Sequence, residues 1–267
     1  MVGFPNAKIN IGLNVVEKRL DGFHNLETIF YPVNIFDSVE ILEGKELQFF
    51  SYGLEIPGEL EHNLCVKAFR LLEAEFKIPK VQIHLLKNIP FGAGLGGGSA
   101  DAAWVLKMLN EKFELALSLD YLENLAAQLG SDCAFFIRNS AQYASGRGEI
   151  LEAIDIDLQK YTFALIKPNF AISTKEAFSG LIPKPSSQDL RTLVKQPIES
   201  WKHQIKNDFE ESLFPKFPSL QKIKNELYER GAKYASMSGS GSTIFGIFES
   251  GFRERFVAPP NSQIFWI

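Results

Sequence analysis

The sequence predicts an α+β fold arranged in two lobes, and three observations carry that reading. Strand-like and helix-like stretches mix without the regular βαβ rhythm of a parallel α/β sheet. Five glycines in seven residues, Gly92, Gly94, Gly96, Gly97 and Gly98, fall between a strand-like and a helix-like stretch. Near residues 150–160 the texture changes, and Pro-, Ser- and Lys-rich sequence begins to interrupt the periodic segments. A chain of 267 residues has room for one large domain or two modest ones. We place the boundary so that residues 1–152 and 153–267 form the two.

The elements follow in order. From Ala7 to Val16, Ile9, Ile11, Leu13 and Val15 alternate with Lys8, Asn10, Gly12 and Asn14. That period of two predicts a strand with one buried face and puts Lys8 and Asn10 together on the other. A polar turn at Arg19–Gly22 leads into strand-like sequence at His24–Ile35 and Ser38–Leu42. Asn63–Phe76 has the spacing of an amphipathic helix, and Val81–Leu86 of a short strand. Ser99–Asn110 and Leu119–Leu129 predict two more helices, the second closing at Gly130 as a left-handed cap. Tyr161–Lys167 reads as a strand, and 183–200 as a loop with a short helix. A helix over Ser219–Arg230 and a strand over Thr243–Phe248 flank the cluster SMSGSGS at 236–242.

Composition excludes several classes. The hydrophobic fraction is 45% and the charged fraction 22%, values of an ordinary globular chain. A net charge of -4 argues against a nucleic-acid binder, which needs a basic surface to displace counterions. Cys65 and Cys133 form no CxxC pair and sit in no Cys/His cluster, so neither a disulfide scaffold nor a zinc site is expected. No apolar stretch approaches the ~18–20 residues of a membrane span, and the N-terminus carries strand alternation instead of a signal sequence. We expect a cytoplasmic protein with neither a nucleic acid nor a membrane as partner.

The segment PFGAGLGGGSA, from Pro90 to Ala100, is the strongest chemical signal. Backbone without Cβ atoms takes positive φ and approaches a ligand closely. The helix that follows offers free N–H groups and the positive end of its dipole, so a polyphosphate is the natural occupant. Gly92-x-Gly94-x-x-Gly97 satisfies the dinucleotide pattern, but the distance to its acidic residue lands in KFELALSLD, the opening of another helix. The Walker pattern fails because no Gly-Lys-Ser/Thr follows the glycines. HRD and DFG, the protein-kinase signatures, are also absent.

The loop resembles that of the GHMP kinases, the galacto-, homoserine, mevalonate and phosphomevalonate kinases. The likeness lies in Pro90, Gly94-Leu95-Gly96 and Gly97-Gly98-Ser99-Ala100-Asp101-Ala102-Ala103. Three more segments are similar in the same order: AKINIGLNV with DGFHNLET, GSDCAFF at 130–136, and SMSGSGST at 236–243. The triple glycine and the DGFH turn are typical of the branch that acts on 4-(cytidine 5'-diphospho)-2-C-methyl-D-erythritol. The likeness spans residue 5 to about 248, with two departures. Ala100 stands where many relatives carry a second serine, and Cys133-Ala134 replaces Val-Pro.

On the residues alone, Asp132 reads most simply as a turn aspartate and Lys8 as an outer-face lysine. The resemblance implies instead that Asp132 is the catalytic carboxylate and Lys8 its cationic partner, within a two-lobed GHMP kinase fold. It implies ATP and Mg2+ as cofactors. ATP would be held by Pro90, Phe91, Gly92, Ala93, Gly94, Leu95, Gly96, Gly97, Gly98, Ser99 and Ala100, with Asn63 and Lys87 on the adenosine side. Residues 1–152 would bind the nucleotide, and 153–267 would contribute to the substrate site. For a cytidine diphosphate-linked methylerythritol, Asn10, Phe23, His24 and Phe170 are the expected contacts, with Phe23 stacking on the base and Phe170 opposite it. The implied reaction is phosphorylation of its 2-hydroxyl, in non-mevalonate isoprenoid precursor biosynthesis, by a monomer or homodimer. The alternatives are another small alcohol (homoserine, mevalonate or a sugar) and a non-catalytic nucleotide sensor of the same fold.

Overall fold

The computed structural model describes residues 1–252 and 261–267. Its strands are β1 (Val2–Gly3), β2 (Asn6–Lys18), β3 (His24–Phe36), β4 (Ser38–Glu43), β5 (Gln48–Gly53) and β6 (Val81–Lys87). They continue with β7 (Gln142–Ser145), β8 (Ile150–Ala153), β9 (Thr162–Pro168), β10 (Tyr234–Met237), β11 (Ile244–Phe248) and β12 (Ser262–Trp266). The helices begin with α1 (Leu64–Phe76), α2 (Gly97–Lys112), α3 (Leu119–Leu129) and α4 (Phe135–Arg138). After them come α5 (Thr174–Ser179), α6 (Leu190–Leu193), α7 (Ile198–Gln204), α8 (Phe209–Leu213) and α9 (Pro218–Glu229).

The described chain forms two compact units, each woven from separate stretches of sequence. The first comprises Met1–Lys8, Pro32–Phe91 and Gly96–Ser140, the second Ile9–Tyr31, Gly92–Leu95 and Ala141–Ile267.

In the first unit the sheet order is β1-β4-β6-β5, antiparallel except for the β5–β6 pair. Val39 and Ile41 on β4 and Val81, Ile83 and Leu85 on β6 are buried, as period-two alternation requires. Helix α2 packs on α1, α3, α4 and β4. Its first turns carry Ala100, Ala102 and Ala103, all fully buried, and such small residues let neighbouring backbones come close.

The second unit holds the sheet β10-β11-β9-β12 and most of the sheet β2-β3-β7-β8. Against β10 and β11 lies α9, whose Leu220, Ile223 and Leu227 join Ile166, Met237, Ile244 and Phe248 in one apolar core. Burying such side chains contributes roughly 1.5–3 kcal/mol each.

Several sequence expectations need correction. Strand β2 is buried on both faces: Lys8 is 3% exposed and Asn10 2%, because polar partners cover the face expected to meet solvent. Helix α2 begins at Gly97, not Ser99, so two glycines belong to its first turn. Gly130 ends α3 in extended backbone (φ 175) and not as a left-handed cap. The 183–200 stretch contains α6 and the start of α7, two helices where one was expected. Strands β5, β7, β8, β10 and β12 escaped the reading, since each is only four to six residues long and strand preference depends on the packing of its neighbours.

Candidate active site

Within the first unit, Lys8 reaches Asp132 with its Nζ 3.2 Å from Oδ2. The lysine side chain is 3% exposed and the aspartate 34%, so the cation is buried while the carboxylate opens to solvent. Asp132 owes this position to the tight turn at 131–134, which follows α3 and leads into α4. Buried Phe135 and Phe136 anchor that turn. Gly96 is the N-cap of α2 with φ +70, and a Cβ there would meet Lys8 Cγ at 3.1 Å and Phe136 Cζ at 2.9 Å. The stem of Lys8 therefore lies against the N-terminal end of α2. That end bears the unpaired N–H groups of the helix and its positive pole.

The same helix start is tied from below. Lys87 Nζ donates to Asp101 Oδ2 at 2.7 Å and to Asp37 Oδ2, and Asp37 Oδ1 accepts from the backbone of Ile89 at 2.8 Å. Lys87 is 4% exposed and lies beneath Gly97, where a Cβ would meet its Nζ at 2.8 Å. Burial works against the Lys87 charge, but the two carboxylates outweigh it and raise its pKa. Burial pushes Asp101 up to about 8, with Lys87 opposing and the Asp37 charge reinforcing the shift. Asp101 Oδ1 is buried with no hydrogen-bond partner among the described residues. Ser99 hydrogen-bonds the buried thiol of Cys133, which burial drives to about 12. Asn63 caps α1, its Oδ1 accepting from Cys65 N at 2.8 Å. Pro90 is half-buried, Phe91 exposed, and Ala100 fully buried.

Within the loop, Gly98 has no steric reason in the chain to be glycine. At Gly98 an added Cβ would meet nothing within 4 Å, and its φ is not positive. Open space at the mouth of a helix, kept free of a methyl group, fits a ligand that approaches the backbone. The residues present thus suit a nucleotide phosphate.

In the second unit, Gly92–Leu95 runs along the turn 238–243. Gly94 has φ +74, and a Cβ there would collide with the carbonyl of Ser238. Ala93 and Leu95 are buried. Asn10 donates from Nδ2 to Thr28 Oγ1 at 3.0 Å, and Thr28 gives its hydroxyl proton to the Gly12 carbonyl at 2.5 Å. Because that proton is spent on Gly12, Thr28 accepts from Asn10, and the orientation of the Asn10 amide is settled. Phe23 is 55% exposed, with the Arg147 guanidinium 5.1 Å from its ring centre. His24 stacks on Phe178 at 4.5 Å with a 17° interplanar angle. Burial and then the nearby Lys18 ammonium lower its pKa, which favours neutral imidazole. Phe170 stacks on Phe217 at 5.3 Å, so the phenylalanine laid on His24 is Phe178. Sequence reasoning passed over Asp37, Thr28 and Phe178. Thr28 closes the DGFHNLET segment without a signal of its own, Asp37 stands in no motif, and 23 phenylalanines hide Phe178.

The model of the GHMP kinases N terminal domain matches residues 63–140, and that of the GHMP kinases C terminal matches 190–258. The 4-diphosphocytidyl-2-C-methyl-D-erythritol kinase of Bacteroides fragilis is 53% identical over 252 residues, covering 93% of this chain and 92% of its own. The chain belongs to the GHMP kinases. As a member it is an ATP-dependent kinase of a small-molecule alcohol. A crystal structure of 4-(cytidine 5'-diphospho)-2C-methyl-D-erythritol kinase superposes on this kinase with a TM-score of 0.80 at 30% identity, covering 94% and 91% of the two chains. The mevalonate kinase of Methanococcus jannaschii shares the fold, with a TM-score of 0.69 at 12% identity over 100% and 97%. Among the described residues, no helix is long and apolar enough to cross a membrane.

Proposed function

We propose that this kinase phosphorylates the 2-hydroxyl of 4-(cytidine 5'-diphospho)-2-C-methyl-D-erythritol with ATP, a step toward isoprenoid precursors. The observation that carries the chemistry is the Lys8–Asp132 pair at 3.2 Å, with the stem of Lys8 against the N-cap of α2. Phosphoryl transfer passes through a loose transition state, so catalysis is mostly positioning and charge stabilisation. Asp132 orients the acceptor hydroxyl and takes its proton, since its partly exposed carboxylate can reach a ligand. Lys8 holds that carboxylate in place and offsets negative charge on the transferred group. The N–H groups at Gly97, Gly98 and Ser99 face the phosphates, and Lys87 supports them from beneath instead of touching the nucleotide. A magnesium ion carried by ATP would neutralise charge on its phosphates, beside the cradle formed by Gly97, Gly98 and Ser99. Among the described residues, no group of three or more His, Cys, Asp or Glu side chains could hold a metal ion.

The choice of alcohol rests on the relatives' names and on the DGFH turn. An exposed Phe23 offers a flat face for a pyrimidine, and neutral His24 offers ring nitrogens for its edge. Base–aromatic stacking is worth ~1–3 kcal/mol per base. Asn10 presents its amide two residues after Lys8 on the same strand. We read residues 1–152 as the nucleotide-binding part and 153–267 as a contributor to the alcohol's site, in a cytoplasmic monomer or homodimer.

ATP turnover against a panel of the cytidine-containing alcohol, homoserine, mevalonate and galactose tests the substrate, with phosphorus NMR locating the new phosphate. Only the first should turn over efficiently; a preference for any other would replace this reading. Lys8→Ala and Asp132→Ala should each lose about a thousandfold in kcat while keeping the parent's circular dichroism. Near-parental turnover in either would remove the pair from catalysis.

A further inference from the structure

We propose that Asn207 is a positioning residue for the phosphate loop, acting through the turn that carries Ser238. The inference rests on the reading of Gly92–Ser99 as that loop. Asn207 is 2% exposed and stands between α7 and α8. Its Nδ2 donates to the carbonyls of Met237 and Gly239, each at 2.8 Å, and its Oδ1 accepts from Phe209 N at 3.0 Å. One amide thus uses both donors to grip the carbonyls on either side of Ser238.

What the grip holds is the loop's backbone. Ser238 is fully buried, and its hydroxyl donates to the Gly94 carbonyl at 2.7 Å while accepting from Asn10 N at 3.2 Å. One residue earlier in the loop, the Ala93 carbonyl accepts from Thr243 N at 3.3 Å. In a trans peptide the C=O and the following N–H point in opposite directions. Turning the carbonyls of Ala93 and Gly94 toward the 238–243 turn therefore turns the N–H groups of Gly94 and Leu95 away from it. Two successive amides so aligned make the kind of concavity that takes an anion.

Asn207 is itself fixed on β2. Leu13 N donates to Lys206 O at 2.9 Å and Asp208 N to Leu13 O at 2.8 Å, while Val15 N donates to Asp208 Oδ2 at 2.8 Å. Strand, amide, turn and loop form one continuous chain of hydrogen bonds.

The test is made in the full-length kinase with two readouts: steady-state kinetics and calorimetric binding of ADP. Asn207→Asp keeps the shape but sets an acceptor against two carbonyls, and Asn207→Ala removes the donors without adding one. If the aspartate variant does not fold, the alanine variant carries the test. Either should raise KM for ATP and weaken ADP binding about tenfold, with kcat and the KM for the alcohol within threefold of the parent. Ser238→Ala should do the same, and the Asn207→Ala/Ser238→Ala pair should lose little more than either alone. A merely structural asparagine would lower the melting temperature and the active fraction but leave KM for ATP and ADP affinity unchanged, and that result overturns the proposal. A parent enzyme that binds no nucleotide would instead sink the phosphate-loop reading beneath it.

Discussion

Lys8 shows how one residue can look ordinary in sequence and be unusual in place. A lysine on an alternating strand normally carries its charge to water, yet here the ammonium is buried and meets one carboxylate at 3.2 Å. Removing a charge from water costs several kcal/mol unless a partner and hydrogen bonds offset the loss. A second device of this kind is Thr28, fully buried, whose single proton goes to Gly12 and whose lone pair orders Asn10. Thr28→Val keeps the shape and leaves the Asn10 Nδ2 donor without that partner, at a cost of about 1–3 kcal/mol in stability. With the Asn10 amide released, kcat/KM for the alcohol should fall about tenfold while KM for ATP stays at the parental value. Equal losses for both substrates would show that Thr28 acts on the fold at large.

At the scale of the element, α2 joins helix physics to ligand geometry. Gly96 caps it from the left-handed region, Gly97 sits over Lys87, and Gly98 faces open space. The first two are glycine because neighbouring atoms leave no room for a Cβ. The third is not crowded, and glycine within a helix costs roughly 0.5–1 kcal/mol relative to alanine. Gly98→Ala should therefore raise the melting temperature slightly while raising KM for ATP about tenfold, since its methyl group would occupy the space offered to phosphate. A variant that is stabilised and binds ATP as the parent does would remove Gly98 from the cradle.

For the whole molecule, the buried trio Asp37, Lys87 and Asp101 couples stability to pH. Asp101 titrates at about 8 in the folded chain against an ordinary value of ~3.9. The folded state holds this proton more tightly, so the stability it contributes is full below about pH 4. That contribution is lost as pH rises through about 8. Lys87 remains the cation of the trio, hydrogen-bonded to both Asp37 and Asp101. Asp101→Asn cannot ionise, so its urea midpoint should gain on the parent's steadily between pH 5 and pH 8. A constant difference across that range would show that Asp101 is ionised throughout.

Much of this was legible in the chain itself. Alternation at Ile9, Ile11, Leu13 and Val15 marked β2, and helical spacing marked α1, α3 and α9, because local periodicity records which face an element buries. The glycine run pointed to an anion-binding loop for an equally local reason: Gly92, Gly94 and Gly96 take positive φ, which backbone without Cβ atoms adopts readily. Which lysine meets which aspartate, which phenylalanine lies on His24, and which buried asparagine grips the 237–239 turn came from tertiary structure alone. Each is a contact between residues far apart in the chain, from 154 positions for His24 and Phe178 to 30 for Asn207 and Met237. Sequence patterns carry the preferences of single segments, whereas such meetings depend on how the segments pack.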